Sequence, residues 1–147
     1  MSAQPGKRIE TDAGIAELLR SVRVVAVLGI KTEAQADQAA HYVPAYCQSA
    51  GLTVVPVPVY YPAAQTILGE KVYRSVAAIE REVDLVNVFR RPSDIDQHVD
   101  DIVAKHPKAV WFQSGIRNDA AAARFTAAGI DVVQDRCLMV EHRRLAR

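Results

Sequence analysis

Hydrophobic residues recur along the chain in two patterns, and each predicts one kind of secondary structure. Short continuous apolar runs that end at glycine, proline or a polar residue are typical of buried parallel strands. Five such runs follow one another: VVAVLG, LTVVPVPV, VDLVNVF, KAVWFQ and IDVVQD. Between these runs the apolar positions recur every three or four residues, which predicts amphipathic helices. The chain therefore alternates strands with helices.

Capping signals indicate where the helices begin. TDAGIAELLRSV, with Thr11 or Asp12 as the N-cap, precedes the first strand. The capping box at 32–35 (TEAQ) predicts a helix directly after Gly29 that runs to about residue 50, and Pro44 is expected to kink it. A second capping pattern at 93–96 (SDID) predicts the helix after the third strand.

This alternation predicts an α/β fold, a Rossmann-like three-layer sandwich with a five-stranded parallel sheet in the order 3-2-1-4-5. Ligands of such sheets bind beyond the carboxyl ends of the strands, where the strand order reverses. In this order the crevice lies between strands one and four. The polar residues 1–10 are expected to be flexible, and 11–147 to form a single domain.

Composition narrows the class of protein. The 147 residues are 50% hydrophobic and 24% charged with a net charge of +1, as in a globular cytoplasmic protein, and they suggest neither nucleic acid nor a membrane surface as partner. No apolar run approaches the roughly 20 residues of a membrane helix. The two cysteines cannot build a disulfide framework.

The turn Gly29-Ile30-Lys31 after the first strand is typical of a phosphate site, because such turns offer backbone N–H groups and a helix dipole. The alternative is a plain tight turn with a solvated Lys31. Neither an acidic nor a basic residue occurs between Gly51 and Gly69, where NAD or NADP needs one, and no P-loop is present. A different adenine nucleotide is compatible with the turn.

Four arginines follow the predicted strands. Guanidinium groups suit phosphate oxygens, so a shared edge of arginines predicts a polyanionic ligand. The alternative is that one of them pairs with Asp135, Asp119 or Asp94. The four residues are Arg90, Arg91, Arg117 and Arg136.

Six motifs in order carry a resemblance to a known family: VVAVLGI, PVPVYYP, ILGEKVYRSVAAI, DLVNVFRRPSDI, AVWFQSGIRND and VVQDRCLMVEHRR. Together they resemble the small stand-alone CoA-binding domain proteins, which are similar to the N-terminal CoA-binding domain of the succinyl-CoA synthetase alpha subunit. The resemblance implies a Rossmann-like domain that binds coenzyme A or an acyl-CoA without catalysis of its own.

The resemblance also implies the site residues. Gly29, Ile30 and Lys31 would face the phosphates. Val57 and Pro58 would flank the adenosine. The rest of the ligand would lie along Phe89, Arg90 and Arg91, with Gln113, Gly115 and Ile116 as the far wall. The chain departs from the family where a serine-containing turn is replaced by Ile30-Lys31-Thr32, and where the usual NP after strand two is replaced by VPVYYP.

Catalysis has no support in the sequence, because no Ser-His-Asp arrangement and no metal-ligand spacing of the four histidines occurs. Two other functions stay open: a detached subunit of an acyl-CoA synthetase or ligase, and a nucleotide-binding redox regulator using Cys137. The alternative to a redox role is that Cys137 is an ordinary buried residue. Beyond the CoA ligand, a homodimer or a partner enzyme is compatible with the sequence.

Five other side chains carry interpretations of their own. Cys47 is expected in the core and His98 in solvent. Trp111 is interpreted as sheet packing, with a dimer surface as the alternative. The pair Tyr60-Tyr61 would either stack on adenine or belong to a packed loop.

Overall fold

Five parallel strands form the central sheet in a computed structural model, which describes residues 4–146. The strands are β1 (Val24–Leu28), β2 (Thr53–Val57), β5 (Leu85–Val88), β6 (Ala109–Phe112) and β7 (Asp131–Val133). A small hairpin of β3 (Thr66–Ile67) and β4 (Glu70–Lys71) lies apart from this sheet. The helices are α1 (Asp12–Ser21), α2 (Ala39–Ser49), α3 (Val99–Lys105), α4 (Asp119–Ala127) and α5 (Leu138–Leu145). The five strands and the Rossmann-like α/β class are confirmed.

The order of the strands is β2-β1-β5-β6-β7, and all neighbours are parallel. The predicted order 3-2-1-4-5 would have placed β5 outside β2, whereas Val25 of β1 pairs with Leu85 of β5. That part of the prediction was wrong. The outer edge of β2 lacks the N–H groups of Pro56 and Pro58, so it cannot accept another full strand. The order therefore reverses between β1 and β5, and the crevice expected between strands one and four moves there.

Two apolar clusters cover the two faces of the sheet. On one face α1, α2, α5 and the β3–β4 hairpin pack against β1, β5 and β6. On the other face α3, α4 and the segment 73–83 pack against the alternate side chains of the same strands. Both clusters are built from strand residues that are buried on each side, as the continuous apolar runs predicted.

The start predicted for the helix after Gly29 was wrong, because α2 begins ten residues later, at Ala39. The capping box exists, but the Gln35 side chain accepts hydrogen bonds from the N–H and hydroxyl groups of Thr32, at 3.2 and 2.7 Å. These bonds close only a single 3-10 turn, and α2 begins at Ala39, with Pro44 inside it.

The helix start predicted at 93–96 is also displaced, and the Asp96 carboxylate of the predicted capping pattern accepts from Asn118 Nδ2 at 3.3 Å. Two short 3-10 turns precede α3 instead. The cap of α1 is confirmed, since the Thr11 hydroxyl accepts from the N–H of Gly14 at 3.1 Å.

The start of the chain extends the sheet. Gly6 N–H donates to Thr126 O at 2.7 Å, Ile9 N–H to Val132 O at 2.8 Å, and Val132 N–H to Lys7 O at 2.9 Å. Residues 6–9 thus satisfy unpaired backbone groups at the outer edge of β7, while the flexibility of residues 1–10 stays a prediction. Residues 1–3 lie outside the described residues. Among those described, no helix has the length and apolar character needed to cross a membrane.

Candidate functional site

Gly29 joins the carboxyl ends of three strands. Its φ of +87° lies in the left-handed region that favours glycine. Its N–H donates to Val57 O of β2 at 2.8 Å, and a Cβ at this position would lie 2.3 Å from Phe89 O after β5. The structure therefore brings Gly29, Val57 and Phe89 together at the point where the strand order reverses.

After Gly29, the side chain of Ile30 lies in the core, and the backbone N–H of Lys31 is bonded within the protein. The side chain of Ile30 is 1% exposed and packs in the apolar cluster under α2. The N–H of Lys31 donates to Ala40 O at 3.1 Å. The backbone donors of Gly29 and Lys31, which were expected to hold phosphate, are thus both used by protein carbonyls.

The Lys31 ammonium group takes a different position from its N–H. It donates to the side chain of Gln38, the N-cap residue of α2, whose side chain makes no capping bond to the helix. Lys31 forms no ion pair with any described residue, in contrast to the arginines of this edge. A cation and the positive end of an 11-residue helix therefore coincide beside the Gly29 turn.

Arg90 and Arg91 follow β5 and share one carboxylate. The side chain of Arg90 is 10% exposed, lies 3.9 Å from Asp94, and donates from Nε to His98 at 3.1 Å. Arg91 is 80% exposed and binds the same Asp94 at 2.8 Å. The hydrogen bond from Arg91 holds the pKa of Asp94 below its usual value. The prediction that an arginine pairs with Asp94 is confirmed.

His98 is half-buried and contacts Arg90, so the expectation of a solvated histidine was wrong. Burial lowers the pKa of His98, and the neighbouring Arg90 lowers it further. A neutral ring is what Arg90 requires here, because Nε2 must accept its hydrogen bond.

Two tyrosines follow β2. Pro58 is buried, whereas Tyr60 is 64% exposed. The guanidinium carbon of Arg90 lies 5.9 Å from the centre of the Tyr60 ring, and Tyr61 packs edge-on against Tyr60 with ring centres 6.4 Å apart. Pro58, Tyr60 and Arg90 thus occupy the corner next to Gly29.

Gln113, which was predicted in the far wall of the site, forms a buried pair of amide side chains with Asn87. Gln113 is 4% exposed, and its Oε1 accepts from Asn87 Nδ2 and from the N–H of Leu138, each at 3.3 Å. Asn87 Oδ1 is buried and has no partner among the described residues. Asn87 was not singled out from the sequence, although a polar residue inside the apolar run LVNV indicates a buried polar contact.

Gly115 and Ile116 form the turn after β6. The N–H of Gly115 donates to Asp135 at 2.6 Å, and a Cβ at Gly115 would meet no described atom within 4 Å. Ile116 is half-buried against the cluster under α3 and α4. This turn is closed by Asp135, so its glycine N–H is also used within the protein.

The other two arginines of the predicted edge are held by carboxylates. Arg117 lies 3.2 Å from Asp119, as one of the predicted alternatives had it, and Arg136 lies 3.7 Å from Glu141. Both line a cavity of about 500 Å³ at the ends of β6 and β7. A cavity of about 860 Å³ lies at the opposite edge of the sheet, beside α1, and none of the predicted site residues lines it.

The remaining candidates are placed as follows. Cys47 is buried, which raises the pKa of its thiol to about 12 and makes it unreactive, as expected for a core residue. Cys137 is half-buried at the start of α5 and lines the 500 Å³ cavity; its reactivity stays a prediction. Trp111 is fully buried and donates to Arg136 O at 2.8 Å, so it packs the sheet and marks no dimer surface.

Comparison with known proteins gives one family. Residues 23–143 match the family described as "CoA binding domain". The uncharacterized protein YneT of Bacillus subtilis is 30% identical over 130 residues, which cover 88% of this chain and 93% of YneT. A solved structure from Thermus thermophilus is 38% identical with a TM-score of 0.84, and the match covers 92% of this chain and 99% of that one.

A larger protein shares the fold. The dinucleotide-forming acetyl-coenzyme A synthetase 1 of Ca. Korarchaeum cryptofilum, solved with phosphate and ADP, matches 80% of this chain with a TM-score of 0.65 at 20% identity. The match covers 27% of the synthetase chain. At this identity the likeness concerns the fold alone.

Proposed function

The chain belongs to the CoA-binding domain family, and from that premise we propose that it binds coenzyme A or an acyl-CoA non-covalently, without catalysis of its own. The observation that carries the proposal is the corner at the carboxyl ends of β2, β1 and β5. There the Lys31 ammonium group lies at the N-cap of α2, and an exposed aromatic ring lies on Arg90.

The chemistry of this corner fits a phosphorylated adenosine. Lys31 is a cation without a carboxylate partner among the described residues, and the adjacent helix N-terminus adds positive potential, so a diphosphate is stabilised there. Arg91, which follows β5 at the same edge of the sheet, is 80% exposed but bound to Asp94 at 2.8 Å, so Lys31 is the main cation of the proposed site. In this proposal the phosphates contact side chains and the start of α2, because the N–H groups of Gly29 and Lys31 are engaged elsewhere.

The rest of the ligand is assigned from the predicted residues. Val57 and Pro58 flank the adenosine part at the end of β2. Phe89 and Arg90 line the path of the pantetheine, and the turn at 113–116 forms its far wall. CoA supplies a thiol and its acyl chemistry when bound, while the protein holds and orients the nucleotide.

Titration calorimetry with CoA tests this proposal. The Lys31→Met variant is expected to bind CoA about 10- to 100-fold more weakly, since a hydrogen bond to a charged group contributes about 1.5–3 kcal/mol. Lys7→Met is the matched control, because it removes the same charge at the amino edge of the sheet, in the segment paired with β7. Tight binding of a nicotinamide dinucleotide, or equal losses in the two variants, would contradict the proposal.

A second function is favoured by the likeness to part of a synthetase chain. In this reading the protein is a detached subunit that presents CoA to a partner enzyme, which carries the catalytic residues. The protein should then form acyl-CoA from a carboxylic acid, a nucleoside triphosphate and CoA only when a co-purified partner is added back. Full CoA affinity in the isolated protein, with no stable partner recovered from extract, favours the stand-alone binding role.

A further inference from the structure

The loop at 58–65, here named the tyrosine loop, is organised by one side chain from outside it. The guanidinium group of Arg74 donates to four of its carbonyl oxygens, those of Tyr60 at 3.3 Å, Tyr61 at 3.0 Å, Pro62 at 3.2 Å and Ala64 at 2.8 Å. A guanidinium has five N–H donors in a rigid fork, so one residue can satisfy several carbonyls that would otherwise only meet water.

The conformation held by Arg74 is one that the loop would not adopt freely. Tyr61 has a φ of 65°, in the left-handed region that is an outlier for a bulky side chain. The chain next to Arg74 is anchored to the sheet, because the N–H of Tyr73 donates to Pro56 O of β2 at 2.9 Å. Arg74 thus ties a strained loop to the rigid edge of the sheet.

The result of this arrangement is an aromatic ring at a fixed position. One side of Tyr60 lies on the guanidinium of Arg90, which is itself nearly buried and held by His98 and Asp94. The ring is nevertheless 64% exposed. An immobilised ring that is open to solvent beside a phosphate-binding corner is suited to stacking against a planar heteroaromatic base.

We propose that Tyr60 is the stacking platform for the purine base of the bound nucleotide, and that Arg74 is the positioning residue that holds Tyr60 on Arg90. The proposal rests on the proposed function and extends it by assigning the base to one tyrosine. Tyr61 supports that ring from its edge and does not contact the ligand.

The test measures the affinities of three probes by calorimetry: CoA, adenosine 3′,5′-bisphosphate and 4′-phosphopantetheine. Tyr60→Leu is expected to weaken CoA and the bisphosphate about 5- to 100-fold, the range for loss of one base–aromatic stack. Tyr60→Phe keeps the ring and should bind as the unmodified protein does. Affinity for 4′-phosphopantetheine, which has no base, should be the same in all variants.

Arg74 is tested in a double-mutant cycle. Arg74→Met should weaken CoA in the unmodified protein but add no further loss in the Tyr60→Leu background, because it acts through that ring. Arg23→Met is the matched control, since Arg23 also donates to carbonyl oxygens, those of Arg20 and Val22, but at the amino edge. If Arg74→Met does not fold, Arg74→Lys is used, with a smaller loss expected in the same pattern.

The outcomes separate the two proposals. Unchanged CoA affinity in Tyr60→Leu overturns the stacking role while CoA binding itself stands. An equal loss from Arg74→Met in both backgrounds, or a loss for 4′-phosphopantetheine, overturns the positioning role. If the unmodified protein binds neither CoA nor the bisphosphate, the proposed function fails and the stacking role fails with it.

Discussion

At the scale of single residues, the backbone around Gly29 leaves no room for a side chain. Two constraints coincide there: a φ of +87° and a carbonyl oxygen of Phe89 that would lie 2.3 Å from any Cβ. Gly51, at the end of α2, has a φ of +96° but no described atom within 4 Å of the same position. Comparing Gly29 with Gly51 therefore distinguishes the cost of backbone strain, which both positions share, from the cost of steric contact, which only Gly29 has.

Gly51→Ala is expected to lower the free energy of unfolding by about 1–2 kcal/mol, the cost of a left-handed conformation for a residue with a Cβ. Gly29→Ala should lose about 1–3 kcal/mol more, because the Phe89 carbonyl must move and the ends of β1 and β5 must separate. Urea unfolding of both variants measures the difference. Equal losses would show that the close approach between the strands carries no energy.

Asn118 shows that a motif residue can have a structural role. Its side-chain oxygen accepts from the N–H of Ala121 at 2.9 Å and caps α4, while its amide group donates to Pro92 O at 2.9 Å and to Asp96 at 3.3 Å. It thereby ties the turns after β5 and β6 together. Family resemblance at such a position indicates the fold and does not by itself indicate a ligand contact.

At the scale of elements, α1 and α5 are joined by a bidentate ion pair. The guanidinium of Arg144 binds Asp12 at 2.8 and 2.9 Å and Glu141 at 2.7 Å. The hydrogen bond from Arg144 holds the pKa of Asp12 below its usual value. A carboxyl whose pKa is lower in the folded protein stabilises the fold above its unfolded pKa, about 3.9, and that stabilisation is lost as the pH falls through the folded value.

The coupling between Asp12 and Arg144 should therefore depend on pH. In a cycle of Asp12→Asn, Arg144→Met and the double variant, the coupling free energy of unfolding is expected to be favourable at pH 7 and to decrease as the pH falls through the folded pKa of Asp12. Urea unfolding at a series of pH values provides the measurement. A coupling near zero at pH 7 would show that the pair does not form in solution, and a favourable coupling that stays constant across the acid range would show that it does not depend on the charge of Asp12.

At the scale of the whole molecule, both edges of the sheet are protected from pairing with other chains. The outer edge of β2 carries Pro56 and Pro58, which have no N–H groups, and the carbonyl oxygen of Pro56 accepts from Tyr73 N–H at 2.9 Å. The outer edge of β7 is covered by residues 6–9. Unpaired strand edges promote association, and each edge here is blocked by a different device.

Removing residues 1–9 should uncover the edge of β7. The loss of three backbone hydrogen bonds, at about 1 kcal/mol each, is expected to lower the free energy of unfolding by about 2–4 kcal/mol. The exposed edge should also make the protein associate at high concentration, which sedimentation velocity detects.

Gly6→Ala offers a single-residue version of the same experiment, because its Cβ would lie 2.1 Å from Ile130 O and push the segment off the sheet. It is expected to shift stability in the same direction as the deletion. A deletion variant with the same stability and the same association state as the full chain would show that residues 6–9 contribute nothing to the sheet.

The sequence by itself determined the strands, the alternation of strands and helices, and hence the class of fold, because burial on both faces leaves a local signature of continuous apolar runs. It also determined the cap of α1 at Thr11 and the turn at Gly29. All of these depend on residues within a few positions of one another.

Only the tertiary structure decided the strand order, the displaced start of α2 and the pairing of residues 6–9 with β7. It also decided which charges stay available: the carboxylates of Asp94, Asp119 and Glu141 hold the arginines of the predicted edge, while Lys31 has no carboxylate among its described partners. The strand order and the pairing of residues 6–9 join segments that are far apart along the chain, and local pattern does not record such contacts. The arginine pairs are local, and the competition among nearby carboxylates decided which of the possible partners each arginine binds.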